Sequence, residues 1–288
     1  MLNPESRRCA VLGSPIAHSL SPVLHRSAYA ELGLPAWRYD AFEVGEAGLA
    51  GFVAGLGEGP DEQWRGLSLT MPLKRVAIGL CDTVSELATL VGAVNTVVID
   101  DERRVHGTNT DVPGVVAALR ERGVTELESA LLLGVGATAC SALAGLAALG
   151  VRTATAIARD QSRAGELERL AVELDVKLSV VELTGEWSRG RTADVLVSTV
   201  PDSAAAPYAG DLVGLVDVVF DALYEPWPTR LAAAAAGSGR VVVGGLDLLV
   251  HQAALQVELM TEHVPAPLAV MRAAGEAALS ERKSAAEA

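Results

Sequence analysis

Short apolar runs alternate with small-residue and charged stretches along the chain, and this alternation predicts an α/β protein. Arg8–Leu12 and Ala36–Val44 are the first two strands. Trp64–Leu69 is a third, with Trp and Leu supplying apolar, β-favouring weight. A helix covers Glu46–Leu56, and Gly57-Glu58-Gly59-Pro60-Asp61 is a turn. Pro72 halts the third strand, because proline lacks an N–H and biases its predecessor away from helix. Lys74 therefore stands just past a strand tip, near the start of a short helix. Thr83–Leu90 reads as helical. The apolar run Gly92–Ile99 follows, and Asp100–Arg104 forms a charged hairpin turn leading to Val105-His106-Gly107.

From Ser129 the texture changes. Ala130-Leu131-Leu132-Leu133 is continuously apolar, as in a parallel strand covered on both faces. It enters Gly134-Val135-Gly136-Ala137-Thr138-Ala139, and an Ala/Leu-rich helix runs on to Gly150. Further strands are read at Thr153–Ala158, Lys177–Val181, Asp194–Ser198, Leu215–Phe220 and Arg240–Val243. Leu231–Ala236 is a short helix; Leu246–Met260 and Pro267–Leu279 are longer ones, followed by a polar, Ala-rich tail expected to fray. There is no internal repeat beyond the β-α alternation.

Composition narrows the class. With 288 residues, half of them hydrophobic, the chain can bury one large core or two medium ones. A formal charge of −13 argues against a nucleic-acid partner. Cys9, Cys81 and Cys140 are far apart, so neither a disulfide framework nor a metal site is expected. Met1-Leu2-Asn3-Pro4 does not open a signal peptide, and no apolar run is long enough to span a bilayer. The expectation is a soluble, cytoplasmic α/β protein with no membrane partner.

Candidate chemistry gathers at strand ends, where α/β proteins place their sites. Lys74, Asn95 and Asp111 each follow an apolar strand-like run and can converge on one cleft, although a lone lysine is ordinarily solvated and Asp111 is equally suited to capping a helix with Pro113 in its first turn. In Gly13-Ser14-Pro15-Ile16-Ala17-His18-Ser19-Leu20-Ser21-Pro22, the hydroxyls of Ser19 and Ser21 flank one residue. They can face a carboxylate beside a helix N-terminus, or Ser21 can simply cap that helix. His18 alone reads as structural, and Gln252 either reaches a ligand or caps a neighbour. The strand, glycine turn and helix at Gly134 form a dinucleotide-binding element, with Ala139 at the third glycine position. Arg159 and Arg163, four apart after the next strand, suit the 2′-phosphate of NADP if a helix starts there. Otherwise they are solvated partners of Asp160 and Glu166.

Seven motifs in order resemble the shikimate dehydrogenase family over nearly the whole chain: the Gly13–Pro22 loop, Thr70-Met71-Pro72-Leu73-Lys74, Gly92-Ala93-Val94-Asn95-Thr96, Gly107-Thr108-Asn109-Thr110-Asp111, the turn at Gly134, Asp221-Ala222-Leu223-Tyr224-Glu225-Pro226, and Gly245-Leu246-Asp247-Leu248-Leu249-Val250-His251-Gln252. The resemblance implies a two-domain α/β enzyme that reduces 3-dehydroshikimate to shikimate with NADPH in the chorismate and aromatic amino-acid pathway, as monomer or homodimer. It implies a discontinuous substrate domain, 1–110 and 245–288, and a Rossmann-like domain, 111–244, with the C-terminal helices packing back on the first domain. By position, Lys74 and Asp111 resemble the catalytic pair, and Ser19, Ser21, Thr70, Asn95, Tyr224 and Gln252 the substrate contacts. Gly134, Gly136, Ala137, Thr138, Arg159, Arg163 and Gly245 resemble the NADP contacts; no metal is implied. Ser68, Asp247, Leu248, Ala158 and Asp160 depart from the residues usual at their positions. A paralogue acting on quinate or an amino-shikimate, and a catalytically silent nucleotide-binding regulator, are the alternatives on the same fold.

Overall fold

The apolar runs become two six-stranded sheets in the computed structural model, which describes residues 6–56, 62–183 and 192–287. The expected turn at Gly57–Asp61 lies outside those residues. The chain divides into two units, Met1–Thr110 with Val250–Ala288, and Asp111–Leu249.

In the first unit the elements are β1 (Ser6–Gly13), α1 (Ser21–Glu31), β2 (Trp37–Glu43), α2 (Glu46–Ala54), β3 (Glu62–Leu69), a 3₁₀ turn at Val76–Leu80, β4 (Thr83–Val84), α3 (Glu86–Val91), β5 (Thr96–Ile99) and β6 (Val105–Thr108). The sheet order is β2-β1-β3-β5-β6-β4. β1 pairs in parallel with β2 and β3, whereas β5 runs antiparallel to both β3 and β6. The charged stretch Asp100–Arg104 is the β5–β6 hairpin turn, with Arg103 at φ 63° and the Asp100 carboxylate accepting from the Arg104 N–H at 2.8 Å. Leu67 and Leu69 face a core with Leu12, Leu49, Leu73, Val97 and Ile99. Each such side chain, once buried, contributes on the order of 2 kcal/mol. Ser68, between them, points to the opposite face by the two-residue period of a strand.

Thr83–Leu90 is not one helix. Thr83 and Val84 pair with His106 and Gly107, and α3 starts only after Ser85, whose hydroxyl accepts from Ala88 N at 3.2 Å. β-Branched residues followed by a strong N-cap explain the division.

The second unit holds α4 (Asp111–Glu121), β7 (Ser129–Leu133), α5 (Ala137–Ala148), β8 (Thr153–Ala158), α6 (Gly165–Glu173), β9 (Lys177–Glu182), β10 (Ala193–Ser198), α7 (Asp202–Ala205), α8 (Ala209–Val213), β11 (Val216–Asp221), α9 (Arg230–Gly237) and β12 (Val241–Gly244). All its strand pairs are parallel, in the order β9-β8-β7-β10-β11-β12. Numbered from β7, that is 3-2-1-4-5-6, the doubly wound dinucleotide-binding arrangement, with its switch point between β7 and β10. α10 (Gly245–Thr261) begins directly at the end of β12, and α11 (Leu268–Glu287) ends the described chain. The tail expected to fray is helical through Glu287: Ala, Glu, Arg and Lys after Leu279 favour helix, and no Pro or Gly interrupts them.

Candidate active site

In the first unit, four segments leave one edge of the sheet. β1 and β3 end in register there, Leu12 opposite Leu69, and the antiparallel β5 begins there, Thr96 opposite both Ser68 and Thr108. The edge therefore collects the 14–20 loop, the 70–75 loop, Asn95 and Thr110. Gly13 makes the first two fit: a Cβ on it would lie 2.3 Å from Thr70 Cγ2. Backbone bonds clamp the pair, Thr70 N to Leu12 O at 3.0 Å and Ser14 N to Met71 O at 3.0 Å. Lys74 is half-buried in this loop, and its carbonyl accepts from Val94 N at 2.7 Å, which ties it to the segment bearing Asn95.

Ser21 does not cap α1. It is the first helical residue, buried, and it is Ser19 whose hydroxyl accepts from the Ser21 N–H at 3.3 Å. Pro22 sets the helix start one residue earlier than the Ser-Pro pattern suggests. His25, one turn on, is fully buried and stacked on Tyr39 at 3.9 Å, with Nδ1 2.9 Å from Ser21 O. Burial pushes this imidazole down to about 4. His18 is exposed on the loop, where its carbonyl accepts from Arg282 of α11.

Asn95 is 1% exposed, and its amide has one possible orientation. Oδ1 accepts from the Thr110 backbone N–H at 2.7 Å and from Thr96 Oγ1 at 2.8 Å. A backbone N–H can only donate, so Nδ2 is the opposite arm. It donates to Thr110 Oγ1 at 3.0 Å and faces Gln252 Oε1 at 3.4 Å. Gln252, buried on α10, thus joins Asn95 at the sheet edge. Behind them, Gln256 Nε2 donates to Thr96 Oγ1 at 3.0 Å, and Gln256 Oε1 accepts from Ser68 Oγ at 2.8 Å. Tyr39 donates to Ser68 at 2.5 Å. Gln256 and Tyr39 are not singled out by the sequence; the signal for Gln256 is a second amide one turn after Gln252 on the same helix.

In the second unit, candidate residues follow successive strand ends. Gly134 ends β7 at φ +109°, a left-handed backbone beside Thr199, whose Oγ1 would sit 2.4 Å from an added Cβ. Gly136 opens α5 with no side-chain cap, no acidic residue lies in the first turn, and a Cβ there would meet nothing within 4 Å. The N–H groups of Ala137 and Thr138 therefore begin a helix beside open space, a cradle suited to a pyrophosphate. Arg159 and Arg163 are exposed after β8. Asp160 between them is extended, not helical, so the two arginines do not share a face by helical spacing. Its Oδ1 accepts from Ser162 N at 3.0 Å and Ser162 Oγ at 2.6 Å, which hold the carboxyl below its usual range and turn it into the 3₁₀ turn Gln161–Ala164. These residues fit an NADP-type dinucleotide: bare helix N–H groups for the pyrophosphate, guanidinium groups for a further phosphate, and the intervening acid occupied locally.

Tyr224 lies half-buried in the loop after β11. That loop is pinned by Asp221, which accepts from Thr229 Oγ1 at 2.6 Å and Leu223 N at 3.2 Å; burial pushes its carboxyl up. Gly245 N donates to Leu223 O at 3.1 Å. Asp247 caps the start of α10, accepting from Gly244 N at 3.0 Å and from Arg122 at 3.0 Å. Asp111 is the buried first residue of α4, directly after Thr110.

Residues 11–97 match the model of the shikimate dehydrogenase substrate binding domain, and 245–274 that of the shikimate 5′-dehydrogenase C-terminal domain. A shikimate dehydrogenase (NADP(+)) of Methylobacterium radiotolerans is 36% identical over 85% of this chain and 88% of its own. The chain belongs to the shikimate dehydrogenase family. Among solved members of the family, that of Mycobacterium tuberculosis has 42% identity and a TM-score of 0.85, covering 94% of this chain and 99% of its own. The Thermus thermophilus shikimate 5-dehydrogenase, solved in complex with NADP(H) and shikimate, has 32% identity and a TM-score of 0.78, covering 94% and 99%. The doubly wound second sheet and the mixed first sheet are thus those of a shikimate dehydrogenase.

Proposed function

We propose that this chain catalyses the reversible NADPH-dependent reduction of 3-dehydroshikimate to shikimate. The observation that carries this is the first sheet edge: the serine loop, the Thr70–Lys74 loop and the fixed Asn95–Gln252 amide pair leave it together. A small polyol carboxylate needs that set. Ser19 and Ser21 bind its carboxylate, and Thr70, Asn95, Gln252 and Tyr224 bind its oxygens. The first unit is read as the substrate domain and the second as the dinucleotide domain, with Gly134, Gly136, Ala137, Thr138, Arg159, Arg163 and Gly245 as NADP contacts.

The chemistry that the bound dinucleotide supplies is hydride donation to the ketone carbon. Charge then builds on the carbonyl oxygen, and Lys74 is assigned to stabilise it and deliver the proton that completes the hydroxyl. Asp111 is assigned as its partner, because a carboxylate offsets the cost of holding an ammonium away from water. The pairing rests on the order and content of the motifs around the two residues. The enzyme is taken to work in the cytoplasm with small molecules as its ligands. The charge of −13 supports the absence of a nucleic-acid partner, and no described helix is long and apolar enough to cross a membrane.

Absorbance at 340 nm with shikimate or quinate, each with NADP or NAD, tests the reading. Reduction of NADP by shikimate is expected to be the fastest combination. Turnover of quinate alone, or none with any pair, overturns it.

A further inference from the structure

We infer that Gln256 and Ser68 are positioning residues for the substrate, setting Asn95 to present hydrogen-bond donors and tying it to the serine loop. The inference rests on the functional reading above, in which Asn95 and Ser21 touch shikimate.

The hydrogen bonds run in one direction. Tyr39 donates to Ser68, Ser68 to Gln256 Oε1, Gln256 Nε2 to Thr96, and Thr96 to Asn95 Oδ1. Gln256 Nε2 also lies 3.4 Å from the Asn95 carbonyl, so it holds both the backbone and the amide of that residue. At the far end, the Tyr39 ring stacks on His25, and Ser21 holds that imidazole through the contact of its carbonyl with Nδ1 at 2.9 Å. Ser68, Asn95, Thr96 and Gln256 are all buried, and every member has a polar partner within the chain.

Polarity follows from this order. Oδ1 of Asn95 is saturated by Thr96 and the Thr110 N–H, which leaves Nδ2 as the arm beside Gln252. A ligand oxygen meeting Asn95 meets a donor. Reversing Gln256 reverses the chain, since a carboxylate there accepts from Thr96 and takes the Thr96 proton away from Asn95. The Thr110 N–H still holds Oδ1, so the amide keeps its sense but loses one of its two anchors, and Nδ2 is less firmly placed for the ligand. Ser68 is the relay between the two ends. Serine both accepts from the tyrosine and donates to the glutamine with one atom.

The test is steady-state kinetics on Gln256→Glu and Ser68→Ala, with shikimate and NADP varied in turn and folding checked by thermal melting. Gln256→Glu is expected to raise KM for shikimate about tenfold and Ser68→Ala about threefold, with kcat changed less than either and KM for NADP unchanged, because the contacts serve ground and transition states alike. Unchanged KM for shikimate in both folded variants overturns the inference. So do parallel rises for shikimate and NADP, which report general loosening. Failure of the unaltered protein to oxidise shikimate overturns the functional reading instead, and is seen before any variant is made.

Discussion

In the proposed function, the two units meet their ligands with opposite strategies. At the first sheet edge, recognition groups are side chains already locked to one another: Asn95, Thr96, Thr110, Gln252 and Gln256 form a buried polar network. At the strand tips of the second unit, the proposed recognition groups are bare backbone at Gly136 and the exposed Arg159 and Arg163. The difference suits the chemistry. Hydroxyls on a small ring differ only in direction, so their donors and acceptors must be fixed beforehand, at the cost of a network that tolerates no missing member. A phosphate accepts from any direction, and a helix N-terminus with nearby guanidinium groups satisfies it without buried polar side chains.

The comparison is broken most severely at Lys74, which the network does not replace. Lys74→Ala is expected to lower kcat by about 10² to 10⁴, the usual range for a positioned acid, while KM for shikimate moves much less. Single-turnover and steady-state assays distinguish this from lost binding, and near-normal turnover in a folded variant removes Lys74 from the chemistry.

A second test uses the buried histidine that makes the first unit acid-sensitive. His25 sits at about 4 in the folded protein against an ordinary 6.5. The folded state therefore binds fewer protons than the unfolded one in that interval. The stability it confers is complete above pH 6.5 and is lost progressively as pH falls toward 4, by about 3 kcal/mol. Denaturant titrations at pH 7 and pH 4.5 should show this loss, and His25→Gln should lessen it. An equal pH slope in the variant assigns acid sensitivity elsewhere.

The mildest change probes the second unit. Arg159→Ala should weaken NADP about tenfold, roughly 1.4 kcal/mol, and leave NAD almost unchanged, as measured by the two KM values. Asp160 supports this, because its carboxylate is spent on Ser162. Equal losses for both cofactors would show that Arg159 supports the fold.

How much of this was legible in the sequence depended on the range of the interactions. β8 was read with its observed bounds, Thr153–Ala158, and the glycine turn announced the second sheet, because an apolar run, a glycine and a helix start are local signals. The β4 pairing was not legible, since Thr83 and Val84 become a strand only through partners more than twenty residues on. The amphipathic α6, with Leu167, Leu170 and Ala171 buried, went unread behind Gly165 and its charged first turn. Ser21 was given a capping alternative from the Ser-Pro pattern alone, whereas tertiary burial of its side chain decides its place. Gln256 is the clearest case. Its hydrogen bond to Ser68 joins residues 188 positions apart, and nothing local to either marks the other.

That separation has a consequence for synthesis. The first unit is interrupted by the whole of the second and completed only by residues from Val250 onward. When Thr110 leaves the ribosome, Ser68 and Thr96 are present but Gln256 has not been made, and α1 lacks the α11 helix whose Arg282 holds the His18 carbonyl. The second unit, continuous in the chain, can fold as soon as it emerges. The N-terminal part must wait, half-built, until the C-terminal helices arrive. The part translated first is the part finished last, and truncation a few dozen residues from the C-terminus should cost the first unit its structure while leaving the dinucleotide-type sheet intact.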